Sequence, residues 1–106
     1  MTPTDQGFRT VLVLMKGSAA DATIDALESS GQDVVITDEG PYWKIQGRGD
    51  IVVDMAAVEA ELGAPITLAN WLVTMTSFVG YADKSETQFS VHAERGAAVN
   101  RVQPAR

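Results

Sequence analysis

The stretch Asp33-Val-Val-Ile-Thr-Asp-Glu-Gly-Pro-Tyr-Trp-Lys-Ile-Gln-Gly-Arg-Gly-Asp-Ile-Val-Val-Asp54 places three β-prone segments in succession, broken only by turn-forming residues. Asp33-Val-Val-Ile-Thr37 reads as a strand closed by Asp38-Glu39-Gly40-Pro41. In Tyr42-Trp-Lys-Ile-Gln46 the side chains alternate, with Trp43 and Ile45 on one face and Tyr42, Lys44 and Gln46 on the other. Gly47-Arg48-Gly49 then separates this segment from Ile51-Val52-Val53. A glycine-flanked turn between two β-prone segments predicts a hairpin.

Helices lie on both sides of this strand block. Downstream, Asp54 is positioned to cap a helix whose inner stripe is Met55, Val58 and Leu62 and whose stop is Gly63. After Ala64-Pro65, Thr67 caps a third helix carrying Leu68, Trp71, Leu72 and Met75, an i, i+3, i+4, i+7 set. Strands over 78–82 and 87–93 flank the polar turn Asp83-Lys-Ser-Glu86 and form a closing hairpin. Upstream, Thr10-Val-Leu-Val-Leu-Met15 is an unbroken apolar run, as expected of a strand covered on both faces. Ser18, with Asp21 three residues on, is the expected cap of a first helix over about 19–30, ended by Gly31.

The predicted order is β-α-β-β-β-α-α-β-β, an α+β domain with helices packed on the sheets. No repeat of fixed period interrupts it. Residues 1–8 read as a flexible arm, 9–95 as the domain and 96–106 as a flexible tail.

Composition removes most chemistry. The 106 residues support a single domain. Fourteen acidic against eight basic residues give a net charge of -6 and an isoelectric point near 4.5. That balance argues against nucleic acid and against an anionic membrane. The absence of cysteine removes disulfides, iron–sulfur clusters and thiolate chemistry. With one histidine, His92, no multi-imidazole metal site can form. The start has no basic n-region and the chain has no span-length apolar run, so the expectation is a cytoplasmic protein.

The remaining polar candidates have ordinary structural readings. His92 alternates with Gln88 and Ser90 on the polar side of a strand. Gly47-Arg48-Gly49 joins two strands, whereas a phosphate cradle leads into a helix. Gly17-Ser18 does lead into a helix but lacks the glycine pattern and lysine of a phosphate loop. Asp50 with Asp54, and Asp38 with Glu39, are paired acids that turn and cap chemistry also explains. Trp43 and Trp71 read as core. Thr74, Thr76, Ser77 and Phe78 set small hydroxyl side chains around a large aromatic at a helix-to-strand junction. Such a group suits a closely fitting partner interface, and Phe78 reads equally well as core. The residues favour a binding or regulatory protein over an enzyme. A stand-alone small-ligand sensor or adaptor is the alternative, and a cofactor-independent enzyme using His92 or Asp54 is a distant third.

The segment Pro41–Asp54, then Val58-x-x-Glu61-Leu62-Gly63, then Leu72-Val-Thr-Met-Thr-Ser77-x-x-Gly80, resembles the effector or coupling proteins of bacterial soluble di-iron monooxygenases. These serve methane, alkene, propane, phenol and toluene hydroxylases. The resemblance covers about residues 9–95 and includes the Thr10–Met15 strand and its helix. It implies a cofactor-free, non-catalytic chain with a βαββ–βααββ fold. It implies a partner, the large subunit of a hydroxylase, bound near that partner's own di-iron site. There it would govern entry of oxygen and substrate and tie NADH oxidation to hydrocarbon oxidation, on a surface for which a reductase or ferredoxin competes. It also implies that Thr74, Thr76, Ser77 and Phe78 occupy partner-binding positions. These are small and polar in the methane-system protein, and Phe78 departs from that pattern. Only about eight residues precede the first strand, so the expectation is a chain without the long N-terminal arm of the methane-system protein. An alkene, propane or aromatic system is the expectation.

Overall fold

A computed structural model of the chain describes residues 7–93. Its elements run β1 (Thr10–Met15), α1 (Ser18–Ser30), β2 (Val34–Asp38), β3 (Tyr42–Gly47), β4 (Ile51–Asp54), α2 (Met55–Leu62), α3 (Leu68–Leu72), β5 (Met75–Val79), β6 (Tyr81–Lys84) and β7 (Gln88–His92). The α+β class and the βαββ–βααββ order stand, with one refinement. The strand expected over 78–82 is two strands, β5 and β6, divided at Gly80. The arm read over 1–8, except Gly7 and Phe8, and the tail read over 96–106 lie outside the described residues.

The strands form two antiparallel sheets, ordered β2-β3-β1-β5 and β4-β7-β6. The hairpin expected between 42–46 and 51–53 therefore does not exist: β3 and β4 belong to different sheets. The hairpin at this point is instead β2–β3, closed by the turn at Asp38–Pro41. The reason lies at Gly47 and Thr10. A Cβ at Gly47 would stand 2.7 Å from the Thr10 hydroxyl oxygen and 2.9 Å from a γ-carbon of Ile51. The Thr10 hydroxyl donates to the Gly49 carbonyl at 2.6 Å and approaches that of Gly47 at 3.2 Å. The turn is thus pulled under β1, and the chain emerges into the second sheet.

Caps behave partly as expected. The Asp54 carboxylate accepts from the Ala57 N–H at 3.2 Å, and the Thr67 hydroxyl from the Asn70 N–H at 3.1 Å. Gly31 and Gly63 end their helices in the left-handed conformation. Ser18 is not a cap, however. The N-cap of α1 is Gly17, with no side chain bonding back, and Ser18 is already helical. Likewise α3 ends at Leu72, so Met75 opens β5 rather than closing a helix. The β-branched Val73, Thr74 and Thr76 favour the extended chain over another helical turn.

One core joins both sheets and the helices. It contains Leu12, Leu14 and Ile45 from one sheet, Ile51, Val53, Phe89 and Val91 from the other, Leu27 of α1 and Val58 of α2. β1 buries one face, Thr10, Leu12 and Leu14, and leaves Val11 and Val13 half-covered, so it is not enclosed on both sides as its sequence suggested. Trp71 is fully buried and locks three elements together. Its indole N–H donates to the Thr23 hydroxyl at 2.9 Å, Thr23 donates on to the Ala19 carbonyl at 2.7 Å, and its ring lies 5.3 Å from that of Phe89. A buried polar group of this kind is tolerable only when paired, and here each donor is. Trp43 is half-buried. Its indole N–H reaches Asp21 at 3.2 Å, and Lys16 lies over its ring.

Candidate docking surface

β5 is the outer strand of one sheet and β6 the outer strand of the other. Gly80 alone joins them, at φ +130°. A Cβ there would meet Val91 at 2.6 Å and the His92 carbonyl at 2.9 Å, so only glycine lets the backbone press against β7 and change sheets. Met75 to Lys84 therefore forms one continuous margin belonging to both sheets. From Trp71 to Ala82 this margin carries no charged residue.

The apolar side chains of the margin stand in solvent. Val73 is 74% exposed, Val79 59%, Tyr81 70% and Phe78 40%. The Met15 N–H donates to the Thr74 carbonyl at 2.8 Å, and Met15 pairs with Tyr42 across β1–β3, which brings two further exposed side chains to the Val73 end. Among the described residues, four of the seven exposed large apolar side chains, Val73, Phe78, Val79 and Tyr81, lie along this run, Met15 and Tyr42 flank its Val73 end, and Val35 is the other. An edge strand usually carries charge, which discourages association. Here the charges are confined to the margin's end, at Asp83 and Lys84, and the clustered apolar run from Trp71 to Ala82 that precedes them marks an interaction surface.

All four residues singled out from sequence fall on it. Thr74 is half-buried, whereas Thr76, Ser77 and Phe78 are exposed. The register against β1 slips here, with Val13 opposite Ser77 and Leu14 opposite Met75, so Thr76 is the extra residue of a bulge. Its hydroxyl donates to the Val13 carbonyl at 3.2 Å. The bulge re-aims the strand just before Phe78. The Phe78 ring meets the buried Phe89 edge-on, with centroids 6.1 Å apart, while two fifths of the residue faces out. It is thus supported by the core and presented to solvent. Sequence reasoning missed Val73, Val79, Tyr81, Met15 and Tyr42. The legible signal for the first three was the long uncharged run.

The other candidates act structurally. His92 Nδ1 lies 2.9 Å from one carboxylate oxygen of Asp50, whose other oxygen accepts from the Ala93 N–H at 2.9 Å. This ties the end of β7 to the turn before β4. Asp50 and Asp54 sit at opposite ends of β4, so they form no acid pair. Ser90 is buried rather than on a polar face, because β7 is the central strand of its sheet. Asp38 pairs with Lys16 and accepts from the Gly40 N–H. The Lys16 hydrogen bond, reinforced by Gly40, holds its carboxyl below the ordinary value of 3.8. Arg48 reaches Asp33 at 3.0 Å and lies over the Phe8 ring. Among the described residues no three His, Asp or Glu side chains converge as metal ligands, and no helix is long and apolar enough to cross a membrane.

Comparison with known proteins covers most of the chain. The model of the MmoB/DmpM family matches residues 9–92. Methane monooxygenase regulatory protein B of Methylosinus trichosporium is 33% identical over 89 residues, which is 79% of this chain and 64% of that protein. The chain thus spans under two thirds of that relative's length. The effector subunit of the alkene monooxygenase system of Xanthobacter autotrophicus is 32% identical over 78 residues, 72% of this chain and 77% of the relative. Among solved structures, a chain of a phenol hydroxylase–regulatory protein complex superposes with a TM-score of 0.70 at 17% identity, covering 78% of this chain and 95% of that one. The soluble methane monooxygenase regulatory protein B superposes with a TM-score of 0.64 at 23% identity, over 92% and 74%. At such identities the superpositions establish the fold.

Proposed function

The chain belongs to the MmoB/DmpM family, and from that premise we propose that it is a non-catalytic effector which docks on the hydroxylase component of a soluble di-iron monooxygenase. The β5–β6 margin is the docking face. Phe78 is its anchor, Thr74, Thr76 and Ser77 provide close-fitting polar contacts, and Val73, Val79 and Tyr81 extend the apolar area. The observation that carries the reading is the uncharged run from Trp71 to Ala82 along this margin, with its exposed apolar side chains, in a chain of net charge -6.

Such a partner works by differential affinity. It shifts the hydroxylase only as far as it binds one conformation better than another. An interface of roughly 1,600 Å² supplies enough contact for a specific complex, and the margin with its flanks serves as its core. The iron belongs to the hydroxylase. Docking near it would control entry of oxygen and substrate and so couple NADH oxidation to hydrocarbon oxidation. A reductase or ferredoxin would compete for the same face, and the site of action is the cytoplasm. The acidic remainder of the surface steers the encounter, making association salt-dependent.

The test is binding. Val73→Glu and Tyr81→Glu place charges at the two ends of the margin on side chains already about three-quarters exposed. Each variant should keep its thermal midpoint and bind the hydroxylase at least about tenfold more weakly, since a buried unpaired charge is strongly disfavoured. Unchanged affinity for both variants would remove the margin from the interface.

A further inference from the structure

A second site lies away from the docking margin, in the angle between α1, α2 and β4. It is a cleft of about 220 Å³. Thr23, Ala26, Leu27 and Val53 form its buried floor, and the half-buried Ala57 stands at its rim. It exists because α1 and α2 meet through small side chains there, where larger ones would fill the space.

The polar groups around the cleft are turned inward to each other. Thr23 donates to the Ala19 carbonyl, and Ser30 to the Leu27 carbonyl at 2.9 Å. Gln32 spends both amide hydrogens, one on Ser30 and one on the Val52 carbonyl, each at 2.9 Å, while its oxygen accepts from the Val52 N–H at 2.9 Å. In doing so Gln32 extends the free edge of β4 as a neighbouring strand would. Asp54 offers only acceptors, and one of its oxygens already caps α2. Every side-chain donor in the lining is therefore engaged.

A cavity retains water only where water finds two or more polar partners, and an apolar cavity of about 150 Å³ takes up benzene or xenon instead. This cleft is of comparable size, although partly open to solvent, and offers an entering molecule no free side-chain donor. We propose that it is a binding site for a small uncharged hydrocarbon, up to about the size of a single aromatic ring. Anions and carbonyl compounds are disfavoured, since they need donors and Asp54 repels negative charge. The inference concerns the isolated chain and does not depend on the docking reading.

The test uses the full-length chain without any partner, titrated with benzene and followed by the methyl resonances of Ala26, Leu27, Val53 and Ala57. Saturable shifts centred on these methyls are expected, with benzoate producing none. Ala57→Leu, a rim position, and Ala57→Met should each weaken benzene binding at least about tenfold by occupying the space. Xenon supplies a second readout, a saturable shift lost in the same variants. Non-saturating shifts, shifts centred on Phe78, equal binding in variants that remain folded, or equal response to benzoate would each overturn the proposal. Hydroxylase binding is absent from all these measurements, so failure here leaves the docking reading untouched, and the converse holds.

Discussion

Replacing Gly80 by alanine probes whether the two sheets share one margin. Two penalties combine. An alanine held at φ +130° lies outside its normal backbone range, which costs about 1–3 kcal/mol. Its Cβ also falls 2.6 Å from a methyl of Val91 and 2.9 Å from the His92 carbonyl. Val91 is fully buried and stiff at χ1, and the carbonyl is backbone in the β6–β7 ladder, so neither gives way easily. Overpacking of this kind costs about 1–3 kcal/mol. Reduced freedom of the unfolded chain returns about 0.4–1 kcal/mol. The net loss expected is about 1–5 kcal/mol, which lowers the thermal midpoint of a domain this size by at least about 4 °C. Urea unfolding gives the free energy and a thermal scan the midpoint. Because strain released by opening the margin would displace β6, docking on the hydroxylase should weaken as well. A loss below about 0.5 kcal/mol would refute the reasoning, because the sheet switch would then not require glycine.

Two further predictions follow from single residues. Phe78→Ala removes a ring that is 40% exposed and edge-stacked on Phe89; a loss of about 1–2 kcal/mol is expected, well under the 3–5 kcal/mol of a core phenylalanine, together with a tenfold or greater loss of hydroxylase binding in a calorimetric titration. A stability loss above about 3 kcal/mol with unchanged binding would place the ring in the core. Asp38 has its carboxyl lowered by Lys16 and Gly40, so its ionised form is favoured by folding. That contribution is present above the unfolded value of 3.8 and is lost as pH falls through the lower folded one. Asp38→Asn should therefore be less stable than the parent at neutral pH, with the difference closing below about pH 4. A difference in midpoint that is constant from pH 6 to pH 2 would contradict this.

The features legible in the sequence are those set by neighbours in the chain. The caps at Asp54 and Thr67, the stops at Gly31 and Gly63, and the strand at Thr10–Met15 depend on a few adjacent residues and were read correctly. The sheet assignment was not legible. Gly47-Arg48-Gly49 has the composition of a hairpin turn, and what redirects it is Thr10, distant in sequence, reaching under it with its hydroxyl. The end of α3 was misread because Leu68, Trp71, Leu72 and Met75 do repeat at helical spacing. The β-branched Val73, Thr74 and Thr76 outweigh that periodicity once β1 offers a partner strand. Thr74, Thr76, Ser77 and Phe78 stood out by residue type, small hydroxyls around an aromatic at a helix-to-strand junction, and the family resemblance pointed to the same positions. The exposure of Val73, Val79 and Tyr81 follows from β5 and β6 both being outer strands, which is a property of the topology and not of local pattern.

The central claim is that this chain changes what a hydroxylase does with electrons, and the direct measurement is product formed per NADH consumed. Hydroxylase and reductase are assayed alone, with the parent chain, and with Tyr81→Glu at equal concentration. The account predicts a ratio that rises several-fold with the parent chain and stays near the chain-free value with the variant. Equal ratios in all three mixtures would contradict it.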